Sequence, residues 1–222
     1  MASSKHFKQD VFAQLARIAK ALAHGNRLEL LEFVAQGPRS VDELARLTKL
    51  SVANTSKHLQ ELRQAGLVSA RKEGLRVYYT LSGSDVVALL AMLRHVAETR
   101  LAEVEQLLRT YITARDDLEP VPAAELFQRA KLGLVTVLDV RPPEEYAAGH
   151  LPDAINIPVE DLPARLRKLP KGHEVIAYCR GPYCLLAVDA VALLREKGYQ
   201  ARRLADGYPE WVAAGFPKVS GE

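Results

Sequence analysis

The residues best placed to do chemistry stand in one stretch, "VIAYCRGPYCLLAVDAVALL", from residue 175. It holds both cysteines of the chain, Cys179 and Cys184, where a strand-like run meets a helix-like one. Four kinds of chemistry put cysteine in such a place: a disulfide, a metal clip, an oxyanion pocket and a sulfur-carrying nucleophile. A structural disulfide is not expected in a reducing cytoplasm. Zinc asks for about four ligands, and there is no second cysteine pair, while His150 and His173 are isolated. The remaining readings make Cys179 a nucleophile at the end of a strand. Backbone N–H groups of the loop Cys179, Arg180, Gly181, Pro182, Tyr183 and Cys184, with the helix N-terminus behind it, form an anion nest. The same field holds a thiol as thiolate, and Arg180 adds a cation. The rival reading is a buried strand-end cysteine surrounded by small-residue packing.

The elements that must position this loop follow from the pattern around it. After about residue 120, the short β-type runs "LVTVLDV", "AINIP", "EVIAYC" and "ARRLAD" alternate with helical ones such as "PAAELFQRA" and "CLLAVDAVALLREKG". That alternation predicts a parallel sheet covered by helices, and sheets of this kind place their sites at strand ends. Upstream, "RDDLEPVPAAE" breaks a long helical run, and Pro120 and Pro122 hold the residues before them extended. We place a domain boundary near residues 115–120, dividing the chain into 1–115 and 116–222. Charge divides in the same way: residues 1–115 carry 17 Lys and Arg against 11 Asp and Glu, and residues 116–222 carry 13 against 16. A basic half points to a polyanionic partner. No apolar run approaches the roughly 20 residues of a membrane span, and "MASSKHFKQD" lacks the apolar core of a secretory signal. We therefore expect a soluble cytoplasmic protein with no membrane partner.

The first half reads as mainly helical. "SVDELARLTKL" opens with Ser40 and Glu43 as a capping box, and a second helix begins at Ser51. At 100° per residue, Val52, Thr55, Leu59 and Leu62 of that helix share an inward face. The opposite face carries Ala53, Asn54, Lys57, Gln60, Glu61 and Gln64, with Ser56 and His58 at its flanks. It is small, polar or cationic near the N-terminus, as a helix entering the major groove requires. "VSARKEGLRVYYTL" reads as a β-hairpin with Arg71, Lys72 and Arg76 near its tip. A final helix is predicted over 84–111, with Val86, Leu90, Leu93, Ala97, Leu101, Val104, Leu108 and Tyr111 in an apolar stripe. A stripe of that length predicts a homodimer.

The stretch "LSVANTSKHLQELRQAGLVSARKEGLRVYYTLS" resembles the winged helix-turn-helix of the ArsR/SmtB family of bacterial repressors, over roughly residues 10–112. The resemblance implies a double-stranded DNA operator as partner. It makes Asn54, Thr55, Ser56, Lys57 and His58 base or phosphate candidates, and Arg71, Lys72 and Arg76 wing candidates. The family's metal sites are not matched: "SVDELARLTKL" has no cysteine, and in the last helix only His95 and Glu98 keep the spacing, with Val87 where a histidine would stand. Neither a metal nor a cofactor is expected.

"VTVLDVRPPEEYAAGHLPDAINIP" and "DGYPEWVAAGFP" are similar to the opening and closing motifs of rhodanese domains, and Cys179 falls where those domains form a persulfide. Asp153 takes a place often held by glycine. The expected fold class is thus multidomain, a mainly-α winged helix-turn-helix followed by an α/β rhodanese-like domain with a parallel sheet. The resemblance implies a six-residue sulfurtransferase loop, whereas related phosphatases and arsenate reductases place an arginine six positions after the cysteine. Here that position is Leu185. It also places Asp139 and Arg141 in the supporting shell. Cys184, at a position often basic or hydroxylic, offers a second thiol beside the persulfide. The expectation is a DNA-binding regulator, a repressor, whose loop senses or transfers sulfur from a small donor, thiosulfate or polysulfide, to a thiol acceptor. The alternative is an active sulfurtransferase that the DNA-binding domain only localises or autoregulates.

Overall fold

The computed structural model describes residues 2–221, with side chains from residue 6 onward. Contacts divide the chain into two compact units, residues 1–86 and 87–222. The division lies inside a helix and upstream of the break expected at 115–120.

In the first unit, helices α1 (Ala2–Leu22), α2 (Gly25–Val34), α3 (Val41–Thr48) and α4 (Val52–Gln64) are joined by short turns. They pack with a three-stranded antiparallel sheet of β1 (Arg39–Ser40), β2 (Val68–Glu73) and β3 (Arg76–Leu81), in the order β1-β3-β2. The hairpin turns at Gly74, whose φ of 59° lies in the left-handed region that glycine enters at little cost. Leu30, Leu31, Leu44, Leu59 and Leu62 are wholly buried and form the apolar centre. The capping box of α3 is complete: the Glu43 backbone N–H donates to Ser40 Oγ, and the Ser40 N–H donates to the Glu43 carboxylate at 2.8 Å. Replacing Ser40 with Ala should lower the opening free energy of the α3 amides by about 1 kcal/mol, measured by native-state hydrogen exchange.

The second unit begins within α5 (Ser84–Arg100). The single helix expected over 84–111 is broken. Leu101 has extended backbone (φ −112°, ψ 108°), α6 runs only from Ala102 to Leu108, and a π-type turn covers Arg109–Thr113. The apolar spacing is nearly the same on both sides of Leu101, so periodicity alone does not reveal the break. Beyond it come α7 (Ala123–Lys131), β4 (Val135–Asp139), α8 (Pro143–Ala148), β5 (Ile155–Asn156), α9 (Leu162–Arg165), β6 (Glu174–Tyr178), α10 (Leu185–Glu196), β7 (Ala201–Arg203) and α11 (Tyr208–Ala213).

Strands β5-β4-β6-β7 form one sheet, every pairing in it parallel. One face packs α9 and α10 over Leu138, Val175 and Ala177. The other packs α7 and α11 through Leu126, Tyr208 and Trp211 over Val135, Val137 and Ile176. Both faces are apolar because a parallel sheet is covered on both sides. Strand β6 is central, and its C-terminal end delivers the cysteine loop. Among the described residues no helix is long and apolar enough to cross a membrane.

Candidate functional site

Cys179 follows the last residue of β6 and is 1% exposed. Cys184 is the N-cap of the twelve-residue helix α10. The two sulfurs are joined in a disulfide, with the Cα atoms 6.2 Å apart. The expectation spoke only against a structural disulfide in a reducing cytoplasm, and the bond is present. Redox compartment says nothing about geometry, and a loop closing on a helix start brings the two Cα atoms within the usual disulfide span of about 4.4–6.8 Å.

The loop is held on both flanks. The Cys184 N–H donates to Gly181 O at 3.1 Å, tightening the turn, and the Tyr208 N–H donates to Cys179 O at 3.1 Å, tying the loop to the start of α11. Gly207 approaches so closely that a Cβ there would overlap the backbone of Arg180 and Gly181. Arg180 was expected to add a cation to the nest. Instead its Nε donates to both oxygens of Glu145, at 2.9 and 3.0 Å, and Glu145 is fully buried in α8. Its charge is thereby largely neutralised, and its role becomes anchoring the loop. Tyr183 Oη donates to Glu98 Oε1 of α5 at 2.7 Å. Burial, and then this carboxylate, push the Tyr183 phenol above its ordinary range.

Asp139 and Arg141 lie below the loop and are both fully buried. Arg141 Nη2 donates to Asp139 Oδ2 at 2.7 Å and to Gly149 O at 2.7 Å, and the Arg141 backbone N–H reaches Asp139 Oδ1 at 2.9 Å. Tyr178 Oη donates to Asp139 Oδ2 at 2.5 Å and accepts from the Leu151 N–H at 3.1 Å. The Arg141 guanidinium also lies 4.5 Å from the ring centre of Tyr208. Burial opposes its charge, but the Asp139 carboxylate overcomes that and raises its pKa. Each polar group has a partner, as a buried network needs. The pair ties β4 to β6 and to the turn after α8, beneath the cysteine loop.

In the first unit, α4 presents Asn54 and Lys57 to solvent, with Ser56 half-buried between them. Arg71, Lys72 and Arg76 are exposed on the hairpin, with Arg71 in an ion pair with Glu73. All six side chains are polar or cationic and none is buried. Thr55, which the helix face places inside and only the resemblance makes a DNA candidate, turns inward, and so does His58. Thr55 is wholly buried and its hydroxyl donates to Ser51 O at 3.0 Å. His58 is 6% exposed with its ring 4.5 Å from that of His24. Burial, and then His24 and Arg27, lower its pKa. At 3.6 residues per turn, both positions fall too near the Leu59–Leu62 face to reach outward. Val52, expected inside, is instead half-exposed in the first turn of the helix. Glu61 accepts from Arg27, which also donates to the carbonyls of Lys20 and Ala21, fixing α4 against the α1–α2 corner.

Residue patterns missed Glu145, the partnership of Glu98 with Tyr183 and the Arg94–Glu210 pair of 2.5 Å, all of them between residues distant in sequence. Only Gly207 carried a local signal, through "DGYPEW".

Comparison with known proteins agrees with both halves. The family model described as "Bacterial regulatory protein, arsR family" matches residues 24–70, and the "Rhodanese-like domain" model matches residues 122–214. The chain is 43% identical over 221 residues to "HTH-type transcriptional regulator Rv0324" of Mycobacterium tuberculosis, covering 100% of this chain and 97% of the relative. It is 35% identical over 89 residues to a "Sulfurtransferase" of Allochromatium vinosum, covering 40% of this chain and 81% of that protein. Among solved structures, the homodimeric winged helix-turn-helix DNA-binding domain of Mb0332 from Mycobacterium bovis is 44% identical. It covers 42% of this chain and 87% of that one, with a TM-score of 0.40. The full-length match, carrying both halves in one chain, places this protein among the ArsR-family helix-turn-helix transcriptional regulators that bear a C-terminal rhodanese-like domain.

Proposed function

We propose that the protein is a dimeric operator-binding repressor whose cysteine loop takes up sulfane sulfur and lets it set DNA affinity. The observation that carries this reading is the Cys179–Cys184 pair, closed across a loop that joins the central strand to a helix N-terminus. The Cys179 thiolate attacks the outer sulfur of a polysulfide or thiosulfate. The donor's sulfur–sulfur bond breaks, its electron pair leaves with the rest of the donor, and Cys179 becomes a persulfide. The Cys184 thiolate then attacks the inner sulfur, the one bonded to the Cys179 side chain, and expels hydrosulfide. The product of that step is the disulfide, and two equivalents of a small thiol, themselves oxidised to a disulfide, return the pair to the reduced state. Leu185 stands where an oxyanion-clamping arginine would be, which favours sulfur over phosphate or arsenate.

Asn54, Ser56 and Lys57 of α4 and Arg71, Lys72 and Arg76 of the hairpin are the groups offered to DNA, with phosphate contacts making affinity salt-dependent. Uncovered apolar side chains support the homodimer. Phe7, Val11, Phe12 and Leu15 of α1 are exposed, as are Leu89, Met92, Leu93 and Val96 of α5. Exposed apolar patches of this kind mark interaction surfaces. The second reading, a working sulfurtransferase with a DNA-binding domain that localises it, is favoured by the likeness to the Allochromatium protein.

The test uses a DNA duplex selected from a random pool by the reduced protein, at fixed salt. Polysulfide should shift the affinity of the wild type at least about tenfold, or about 1.4 kcal/mol, with conversion of the two thiols to the disulfide, a loss of two hydrogens, read by intact mass. Cys179→Ser should neither gain sulfur nor respond, and Cys184→Ser should gain sulfur without the full affinity shift. Sulfur loading with unchanged DNA affinity would overturn the sensor reading in favour of the enzyme.

A further inference from the structure

One helix holds the cysteine loop at two points. Tyr183, the residue before Cys184, donates its hydroxyl to Glu98 Oε1 of α5 at 2.7 Å. One turn earlier on α5, Arg94 Nη2 donates to Glu210 Oε1 of α11 at 2.5 Å. Glu210 anchors the first half of the loop in turn. Its other oxygen accepts the Gly207 N–H at 3.2 Å, and Gly207 lies against the backbone of Arg180 and Gly181. Residues 94 and 98 therefore reach both halves of the loop, the first through α11 and the second directly.

The direct hold is a polar bridge beside open space. A cavity of about 350 Å³ is lined both by Ala91, Arg94, His95 and Glu98 of α5 and by Pro182 and Tyr183 of the loop. A hydrogen bond in such a place weakens steeply once one end shifts or turns. Whether Tyr183 stays in place depends on the cysteines. With the Cys179–Cys184 bond closed, Tyr183 lies inside a covalent ring; opening the bond returns conformational freedom to the residues within it.

The other face of the same helix is apolar. At 100° per residue, Leu89, Met92, Leu93 and Val96 point away from the side that carries residues 94 and 98, and all four are exposed. This is the face assigned above to the partner copy. The helix also runs unbroken from Ser84, in the first unit, to Arg100, where the extended backbone of Leu101 ends it just beyond Glu98.

We propose that the Tyr183–Glu98 hydrogen bond is the contact through which the state of the cysteine pair is passed to α5. With the pair closed, Tyr183 stays on Glu98 and fixes the last turn of α5 to the loop. With the pair open, Tyr183 leaves, Arg94–Glu210 holds the helix alone, and the turns beyond it loosen. Tyr183 and Glu98 are positioning residues, and α5 is the element with two arrangements that coupling between sites requires. This rests on the sulfur-sensing reading above and names its route.

The experiment compares the disulfide form of the full-length protein with the form opened by a dithiol, which becomes a cyclic disulfide as the two cysteines become thiols. Amide hydrogen exchange is read over residues 94–100 without DNA, and the amides of β6 report any general loosening of the same unit. Reduction should speed exchange over 94–100 of the wild type about tenfold, within the usual 5–150-fold range of coupling between sites. In Tyr183→Phe the two forms should agree within about twofold, because the bridge is absent from both. Glu98→Gln should keep part of the difference, since its amide oxygen still accepts the phenol proton. The selected duplex is then titrated against each protein in both forms. No redox response of α5 in the wild type, or a response that survives Tyr183→Phe, overturns the coupling contact whatever the DNA affinities are. A response of α5 that disappears in Tyr183→Phe supports the contact. If DNA affinity is nonetheless the same in both wild-type forms, the sensor reading falls while the contact stands.

Discussion

Arg141→Met should destabilise the rhodanese-like unit by about 3–5 kcal/mol, the usual effect of stripping one partner from a buried ion pair. Asp139 would be left fully buried with its carboxylate facing only Tyr178 and a backbone N–H, and Gly149 O would lose its donor. A loss of that size is a large fraction of the 5–15 kcal/mol that typically holds a folded domain. The measurement is direct, because Trp211 is the only tryptophan of the chain and is buried in this unit. Its fluorescence during urea unfolding follows this unit and not the DNA-binding one. The double variant Asp139→Asn/Arg141→Met should recover a large part of the loss, since no charge is then stranded. A loss below about 1 kcal/mol in the single variant would show that the pair is not a structural element of this unit.

Gly207→Ala is the second substitution with a large expected effect. The added methyl would overlap the carbonyl group of Arg180 and the amide nitrogen of Gly181. These are backbone atoms, and they are tied from both sides: Arg180 by Glu145, and the loop by the Tyr208 N–H on Cys179 O. Neither side can yield as a flexible side chain would. Overpacking in a constrained site destabilises by about 1–3 kcal/mol, and here any relaxation must displace the cysteine loop itself. Sulfur uptake at Cys179 should therefore slow by at least about tenfold, more than the stability loss alone would produce. Intact-mass kinetics under conditions where the variant is folded separate the two effects. Unchanged uptake in a folded variant would mean that the close approach does not position the loop.

Much of this architecture is legible in the residue order. The alternation of β-type and helical runs after residue 120 yields a sheet whose pairings are all parallel, and "CRGPYC" falls at the end of its central strand. The capping box at Ser40 and Glu43 forms as its spacing implies, because its hydrogen bonds are local. What escaped prediction depends on contacts between distant residues or on single backbone angles. Arg180 reads as a free cation until Glu145 is brought to it from another helix. Leu101 fits an unbroken apolar stripe, yet its extended backbone ends α5. His58 keeps a polar side chain on a helix otherwise suited to DNA, and only the packing of His24 against it reveals that it faces inward. The contact boundary at 86/87 differs from the proline-rich break because α5 makes its partnerships downstream, through Arg94 with Glu210 and Glu98 with Tyr183.

The two sheets differ in how far apart in the chain their partners lie. The hairpin β2–β3 closes over a two-residue turn, whereas β4 meets β6, and β6 meets β7, only after intervening helices have been made. Local pairings form fast, and parallel ones wait on long loop closures. Synthesis runs in the same direction, so the N-terminal unit leaves the ribosome first. The helix and hairpin offered to DNA are therefore complete while the strands that will carry Cys179 are still being polymerised. A nascent or truncated chain would hold the helix and hairpin proposed to meet DNA without the loop proposed to control them.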